Sequence, residues 1–156
     1  MILCIKTGKV NRRLNLFGFF KNRKRVITDR TGKIPYLVRY YIFLKDRKKF
    51  PFNITIHKVL VSDEPTLHDH PWNYRTLILK GGYWEYTPQG KFWRGVGHYR
   101  KMPAESLHRI ELEPGVNCWT LFIPGKHKRE WGFISDNQWF QWEEYLSQRK
   151  GKIKNA

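Results

Sequence analysis

Residues 66–85 read TLHDHPWNYRTLILKGGYWE, and this stretch decides the fold of the chain. It places His68 and His70 two positions apart, ahead of a run of aromatic and aliphatic residues that ends in a glycine pair. Side chains at positions i and i+2 of a β-strand point to the same face of the sheet. Because neutral imidazoles are common metal ligands, the stretch predicts a strand that presents two such ligands on one face.

Further strand-like segments lie on both sides of this stretch. They are rich in β-branched and aromatic residues, and turn sequences such as EPG and PGKHK separate them. Short strands spaced by roughly 8–12 residues are typical of a β-sandwich or barrel. The segments expected to form strands are 36–44, 52–62, 74–80, 83–88, 91–103, 108–112, 117–125 and 129–134.

Residues 52–62 alternate in the manner of a strand with two distinct faces. Asn53, Thr55, His57 and Val59 share one face, and Ile54, Ile56, Lys58 and Leu60 share the other. On such a strand, His57 could face a cavity as an acid, a base or a support for another residue. The alternative is a core or surface histidine whose hydrogen bonds are already satisfied.

The last part of the chain, 135–150, carries a helical pattern, with a candidate cap at 135 or 136. Its apolar residues recur with helical spacing at Trp139, Trp142 and Leu146. We expect a helix that begins near residue 136 and packs this stripe against a barrel of about eight or more strands. The expected organisation is a basic segment packed on the barrel (1–35), the barrel itself (36–134), and a helix with a basic tail (135–156).

The charge of the chain is concentrated in its first third. The formal net charge is +17, and residues 1–50 hold 15 of the 30 lysines and arginines but two of the 13 acids. Such a patch attracts polyanions with salt-sensitive affinity, so nucleic acid is a candidate partner, although no zinc-finger, RRM or KH signature accompanies it. We expect this basic excess to form a surface face outside any cavity, and a plain solvated surface is the alternative.

The remaining composition indicates a folded protein in a reducing compartment. The two cysteines, Cys4 and Cys118, do not form a disulfide framework. No apolar run approaches the roughly 18 residues that a membrane span needs, and the start of the chain is a poor signal peptide. We therefore expect a cytoplasmic protein with no membrane partner. Exposed aromatic strands would suit a homodimer.

Two sets of spaced residues together resemble a known family. Ser62, His68, His70, Tyr74 and Gly81 follow the spacing of the first cupin motif, G-x5-H-x-H-x3,4-E-x6-G. The second motif, G-x5-P-x-G-x2-H-x3-N, is matched by Gly97, Pro103 and His108. Ser62 replaces the first glycine of the first motif, and Glu105 and Leu112 replace the inner glycine and the final asparagine of the second. The resemblance covers about residues 50–134 and extends to a subgroup of small cupins loosely similar to cysteine dioxygenase. It implies an all-β fold, the double-stranded β-helix barrel, with the C-terminal helix as an addition.

The departures from the two motifs change the expected site. Tyr74 stands where the family has its glutamate ligand, and the next residue, Arg75, cannot ligate. The resemblance therefore implies a metal site of three histidines, His68, His70 and His108, with open positions for water, dioxygen or substrate. Fe(II) is the expected metal, with zinc, manganese or nickel as alternatives. Tyr74 could be a weak ligand, a hydrogen-bond donor to substrate or a core aromatic.

Other candidate residues follow from their proximity to the motifs. Glu85 and Glu105 are candidate general bases, and Arg75 or Arg109 could hold a substrate carboxylate or phosphate. For Arg109, next to His108, strand alternation favours an outward-facing charge instead. Cys118 is typical of a small buried apolar residue, and His127 lies in a charged turn that predicts a solvated side chain.

Three hypotheses follow from these residues. The first is a mononuclear metal enzyme, an Fe(II) oxygenase that acts on a small polar or thiol substrate, with Tyr74, His57 and Glu85 as candidate catalytic residues. The positive charge of a three-histidine site predicts an anionic substrate or co-ligand. The second is a cupin-fold sugar-nucleotide isomerase or epimerase with a histidine base and a tyrosine acid. The third is a binding module without enzymatic activity that contacts nucleic acid through residues 1–50.

Overall fold

The computed structural model of the protein describes residues 23–29, 32–45 and 50–154. Over these ranges the chain is mainly β-structure with a C-terminal helix, so the all-β prediction is confirmed. The strands are β1 Lys24–Thr28, β2 Pro35–Tyr41, β3 Thr55–Val59, β4 Trp72–Lys80, β5 Gly82–Thr87, β6 Gly90–Gly95, β7 Tyr99–Met102, β8 Arg109–Glu111, β9 Cys118–His127, β10 Gly132–Ser135 and β11 Gln138–Gln141. The helix is α1 Trp142–Lys154.

Two antiparallel sheets enclose the interior. The larger sheet has the order β1-β2-β3-β9-β4-β7, and the smaller one has the order β6-β5-β8. The chain crosses from β4 to β5 at Gly81, where φ is 75° and a Cβ atom would lie 2.5 Å from the carbonyl oxygen of Asn117. A side chain at position 81 is therefore excluded both by the backbone conformation and by space. This glycine lets consecutive strands join different sheets.

The inner face of β3 is its polar face. Thr55, His57 and Val59 are buried, whereas Ile56 and Lys58 between them are half-buried. The predicted alternation is confirmed. The more polar set points inward because the space between the sheets is a cavity lined by His57, and the threonine finds its hydrogen-bond partner in the carbonyl of Phe122.

The helix begins later than the sequence predicted. Residues 132–141 form the hairpin of β10 and β11, and Asp136 and Asn137 occupy its two-residue turn with φ of 50° and 60°. Asp and Asn tolerate this left-handed conformation, which such a hairpin requires. The prediction that the helix begins near residue 136 was therefore wrong. Trp139 consequently lies on β11, outside the helical stripe. Acidic residues Glu143 and Glu144 occupy the first turn of α1, where the helix dipole favours them.

The predicted N-terminal segment lies largely outside the described residues. Its described part contains β1, which pairs with β2 at the edge of the larger sheet. Residues 1–22 lie outside the described ranges, so the packing of this part of the segment on the barrel stays a prediction. In the described part of the chain, no helix is both long enough and apolar enough to cross a membrane.

The side chain of Phe133 packs between the β10–β11 hairpin, the helix and the barrel. Its side chain is 2% exposed, and its ring centre lies 4.5 Å from that of Tyr145 on α1 and 5.2 Å from that of Trp131. The Phe133 ring also lies 5.9 Å from that of His68, which the backbone pairs with Phe133. The C-terminal elements therefore pack directly behind the first histidine.

We expect Phe133→Ala to lower the free energy of unfolding by about 3–5 kcal/mol, because it removes a fully buried aromatic ring from a junction of three elements. Urea denaturation measures this loss. Phe92→Ala is the matched control, since Phe92 is 39% exposed; its cost should stay below about 1 kcal/mol. Equal losses for both variants would contradict the packing described.

Candidate metal centre

The backbone brings the two motif histidines His68 and His108 side by side. Their main chains exchange two hydrogen bonds, N–H of each to the carbonyl of the other, both 2.9 Å long. The amide of His70 donates to the carbonyl of Ala104, again from the second motif segment. Residues forty positions apart in sequence are thus held in one local arrangement by main-chain bonds alone.

The three imidazoles converge on one point. Their ring centres form a nearly equilateral triangle, 5.3 Å between His68 and His70, 5.0 Å between His68 and His108, and 5.1 Å between His70 and His108. One nitrogen of each ring lies within 4.8 Å of the others, and the Nε2 atoms of His70 and His108 are 2.8 Å apart. The structure therefore brings together the three residues that the motif spacing predicted as ligands.

Burial keeps His70 and His108 neutral. Withdrawal from water lowers the pKa of His108 to about 4 and the pKa of His70 well below 6.5. The remaining accessible area of His70 faces the interior cavity, so its ring is still shielded from bulk water. Neutral imidazoles keep the lone pairs that metal ligation uses.

A buried carboxylate orients His108. Glu85 is 1% exposed, and its Oε1 lies 3.0 Å from Nδ1 of His108. Its Oε2 accepts a 2.8 Å hydrogen bond from Nε of Arg94 and pairs with Arg100. Two guanidinium groups keep Glu85 ionised, so Nδ1 of His108 carries the proton and Nε2 offers its lone pair to the centre. These contacts make Glu85 a positioning residue and leave no oxygen for the general-base role suggested by the sequence.

A second buried carboxylate, Asp69, fixes the segment between His68 and His70. Asp69 is 1% exposed and accepts hydrogen bonds from the amide of Gly132 at 2.7 Å and from Nε1 of Trp139 at 3.0 Å. Arg129 pairs with the same carboxylate at 3.1 Å. The hairpin of β10 and β11 therefore holds the backbone that carries both histidines.

Tyr74 stands beside the three histidines. Its hydroxyl lies 3.3 Å from Nε2 of His108, and its ring lies 4.7 Å from that of His70. Burial raises the pKa of Tyr74 above its usual value, so the hydroxyl keeps its proton and acts as a hydrogen-bond donor. The tyrosine occupies the neighbourhood of the missing carboxylate without supplying its charge.

His57 belongs to the far wall of the same cavity. Its Nε2 accepts a 3.0 Å hydrogen bond from Nε of Arg39 and lies 3.1 Å from the hydroxyl of Thr55, and its ring stacks on Phe122. Burial, and then the charge of Arg39, lower the pKa of His57 well below 6.5. His57 is thus a neutral ring whose Nε2 lone pair is already engaged.

The centre faces a cavity of about 370 Å³ between the two sheets. Side chains of both sheets line it, among them Tyr74 and Thr120 from the larger sheet and Tyr83 and Ile110 from the smaller one.

The overall architecture resembles that of solved structures. A cupin-2 barrel protein from Rhodopseudomonas palustris aligns with a TM-score of 0.56 and 15% identity, over 85% of this chain and 88% of that one. The chain has the cupin fold.

Two enzymes share this cupin fold at low identity. A sugar phosphate isomerase from Silicibacter pomeroyi aligns with a TM-score of 0.56 and 12% identity, over 72% of this chain and 74% of that one. The Fe(II) form of HppE aligns with a TM-score of 0.51 and 10% identity, over 66% of this chain and 57% of that one. The sequence matches no protein-family model and no curated protein. These similarities establish the fold alone.

The donor set of this cupin-fold protein fits a divalent metal ion. Ligands about 2.1 Å from a tetrahedral ion lie about 3.4 Å apart, so the three nitrogens need only small side-chain rotations to bind one ion. The close pair of Nε2 atoms in His70 and His108 cannot both carry protons, and an ion would take the place of the proton between them. Among the described residues, the group of possible ligands at this point consists of the three histidines.

Several predicted residues lie away from the centre. Arg75 and Glu105 are exposed, so neither reaches the cavity. Arg109 lies over the ring of Tyr86 at 3.6 Å and pairs with Glu111, which is the outward placement that alternation favoured.

The remaining histidines and the described cysteine also lie outside the three-histidine group. His98 is half-buried and His127 is exposed. Cys118 is fully buried in the core, where burial raises its pKa to about 12 and keeps the thiol unreactive.

Sequence reasoning missed the polar residues that surround the site. Arg39 lines the cavity, and Asp63 accepts a 2.5 Å hydrogen bond from the hydroxyl of Tyr36 at its edge. Arg94 and Arg100 were not considered as partners of Glu85. The alternation of β5 could have indicated one of these contacts. Glu85 shares the inward face of β5 with Tyr83, and a charged residue on an inward face needs a partner.

We expect Glu85→Gln to weaken Zn²⁺ affinity about 10- to 100-fold, because a neutral amide no longer holds His108 in the ligating tautomer. Competition with a chromophoric chelator measures this affinity. Glu111→Gln is the matched control on the neighbouring strand β8, where the carboxylate is half-exposed and pairs with Lys91 and Arg109. Unchanged zinc affinity in Glu85→Gln would rule out the positioning role.

The stability of the metal-free protein should fall as the pH drops below about 6.5. The unfolded chain then binds a proton at residue 57 that the folded chain does not bind, because the folded-state pKa of His57 is lowered. His57→Gln should reduce this slope by up to about 1.4 kcal/mol per pH unit. Urea denaturation at several pH values measures the slope, and the exposed His127→Gln variant should retain that of the original chain.

Proposed function

We propose that this cupin-fold protein is a mononuclear metal-dependent enzyme, an Fe(II) oxygenase that acts on a small polar or thiol substrate. The convergence of His68, His70 and His108 on the wall of the cavity between the two sheets carries the proposal. Three protein ligands leave coordination positions open, which catalytic metal sites require and closed structural sites lack.

The choice of iron rests on chemistry and on fold. Imidazole suits iron, zinc, copper and nickel, so the ligands alone admit each of them. The Fe(II) form of HppE shares the fold, which supports iron as the first metal to test. Bound Fe(II) would supply the one-electron chemistry that reactions of dioxygen need. Zinc, manganese and nickel are the alternatives.

The chain itself supplies buried hydrogen-bond donors beside the metal site. Tyr74 and Tyr83 are buried in the cavity wall, and burial raises the pKa of Tyr83 to about 12, so both hydroxyls are neutral donors. The hydroxyl of Tyr74 lies close enough to the centre to donate a hydrogen bond to a substrate bound beside it. Because Tyr74 and Tyr83 are themselves buried, their polar contacts are stronger than they would be in water.

A cupin-fold isomerase is the second candidate, and the sugar phosphate isomerase that shares the fold favours it. Such a reaction needs a histidine base next to a tyrosine acid. Here Nε2 of His57 already accepts a hydrogen bond from Arg39, and the cation opposes protonation of the ring. The oxygenase therefore remains the first proposal.

Elemental analysis of protein purified without an affinity tag tests the metal. We expect about one equivalent of iron in the original chain, and losses of more than tenfold in His68→Ala, His70→Ala and His108→Ala, because each variant leaves two protein ligands. His127→Ala, an exposed histidine, should retain the metal.

Dioxygen uptake separates the two candidate reactions. The iron-loaded protein should consume dioxygen in the presence of a small thiol, and His108→Ala should not. Full metal content in His68→Ala would refute the three-histidine site. A metal-loaded protein that never consumes dioxygen with thiols or other small polar compounds would refute the oxygenase.

A further inference from the structure

A second concave site adjoins the metal cavity. We call it the vestibule; it measures about 510 Å³ and is lined by Arg25, Arg39, Tyr41, Lys45, Asn53, Thr55, Trp72, Phe122 and Pro124. Three of these residues, Arg39, Trp72 and Phe122, also line the metal cavity. The two cavities are therefore adjacent and share part of their lining.

The described lining of the vestibule carries positive charges that no described acidic residue neutralises. It contains Arg25, Arg39 and Lys45 and no acidic residue, and no described carboxylate forms an ion pair with any of the three. Arg25 and Arg39 stand directly opposite each other on β1 and β2. Like charges in this cross-strand position destabilise a sheet, so the protein retains an electrostatic cost that a bound anion would relieve.

Neighbouring contacts hold the side chain of Arg39 and the backbone next to Lys45. Nε of Arg39 donates to His57, which leaves its two terminal amino groups for a ligand. Asn53, which is buried, bonds both the amide and the carbonyl of Leu44 at 3.1 and 2.9 Å and so fixes the backbone next to Lys45. This part of the site is thus organised before any ligand arrives.

The opposite end of the metal cavity has the reverse charge. Asp63 lines it there, and Asp29 joins Asp63 around the adjoining hollow, where the carboxylate of Glu64 is paired with Arg149. An anionic group is therefore attracted to the vestibule end and repelled from the other. The cavity accordingly favours one orientation of an anionic molecule.

We infer that the vestibule binds the phosphate group of a small organic phosphate, whose other end reaches the three histidines. A carboxylate is satisfied by one arginine, whereas three cations match the two negative charges of a phosphate monoester. The aromatic rings of Trp72, Tyr41 and Phe122 can pack against the apolar part of the molecule. Binding rests on the vestibule alone, while conversion of the bound molecule rests on the proposed function.

Tryptophan fluorescence titration with phenyl phosphate tests the binding, with inorganic phosphate and benzoate as comparison probes. We expect phenyl phosphate to bind about tenfold more tightly than either, because it supplies both the dianion and the ring. Arg25→Gln and Lys45→Gln should each weaken it about tenfold. The matched controls are Arg75→Gln and Lys24→Gln, exposed cations that lie outside the vestibule, and they should change it less than twofold.

Thermal unfolding supplies a second readout. Without ligand, Arg25→Gln should raise the melting temperature by about 1–4 °C, because it removes the like-charge pair with Arg39. Saturating phenyl phosphate should stabilise the original chain and should lose most of that effect in the variant. A generally destabilising substitution would instead lower both values, and that result would overturn the inference.

Two results would overturn the inference and spare the proposed function. One is the absence of phenyl phosphate binding in protein that holds its full metal content. The other is a single-stranded oligonucleotide that binds more tightly than phenyl phosphate and is weakened equally by Arg25→Gln, Arg75→Gln and Lys24→Gln, which would indicate a general basic surface. Conversely, phenyl phosphate binding that persists in His68→Ala together with undiminished metal would refute the proposed metal centre and leave the vestibule intact.

Discussion

The paired main chains of His68 and His108 are the constraint on which the site depends. Two reciprocal hydrogen bonds hold two chain segments together, and each segment carries part of the ligand set. His70 follows because its own amide is bonded to Ala104, four residues before His108. Backbone pairing therefore sets where the three rings lie, and the contact with Glu85 orients the ring of His108.

Two buried carboxylates extend this constraint to the rest of the barrel. Burying a charge is costly unless it is paired, so Glu85 and Asp69 each require several donors. Glu85 connects His108 to Arg94 and Arg100, and Asp69 connects the first histidine pair to the C-terminal hairpin. Loss of either carboxylate would leave their hydrogen-bond and ion-pair partners unsatisfied. The stability of the fold and the geometry of the three-histidine site are therefore linked.

The basic residues show that charge composition alone does not predict where charged side chains lie in the structure. The sequence located the excess in residues 1–50 and predicted an outer surface, but Arg39 lies in the cavity wall and Arg25 faces it across the strand pair. Only the pairing of β1 with β2 and of β2 with β3 puts these residues beside His57. Charge composition is a property of segments, whereas charge complementarity is a property of surfaces formed by several segments.

The sequence by itself determined most strands of the barrel, the spacing of the two motifs and the identity of the three histidines, because alternation and motif offsets are local properties. It could not determine that the polar set of β3 faces inward or that Trp139 belongs to a hairpin. A period of two shows which side chains share a face and does not show which face is buried. That choice depends on what lies opposite: a cavity for His57, and the carboxylate of Asp69 for Trp139, and only the tertiary structure supplies these partners.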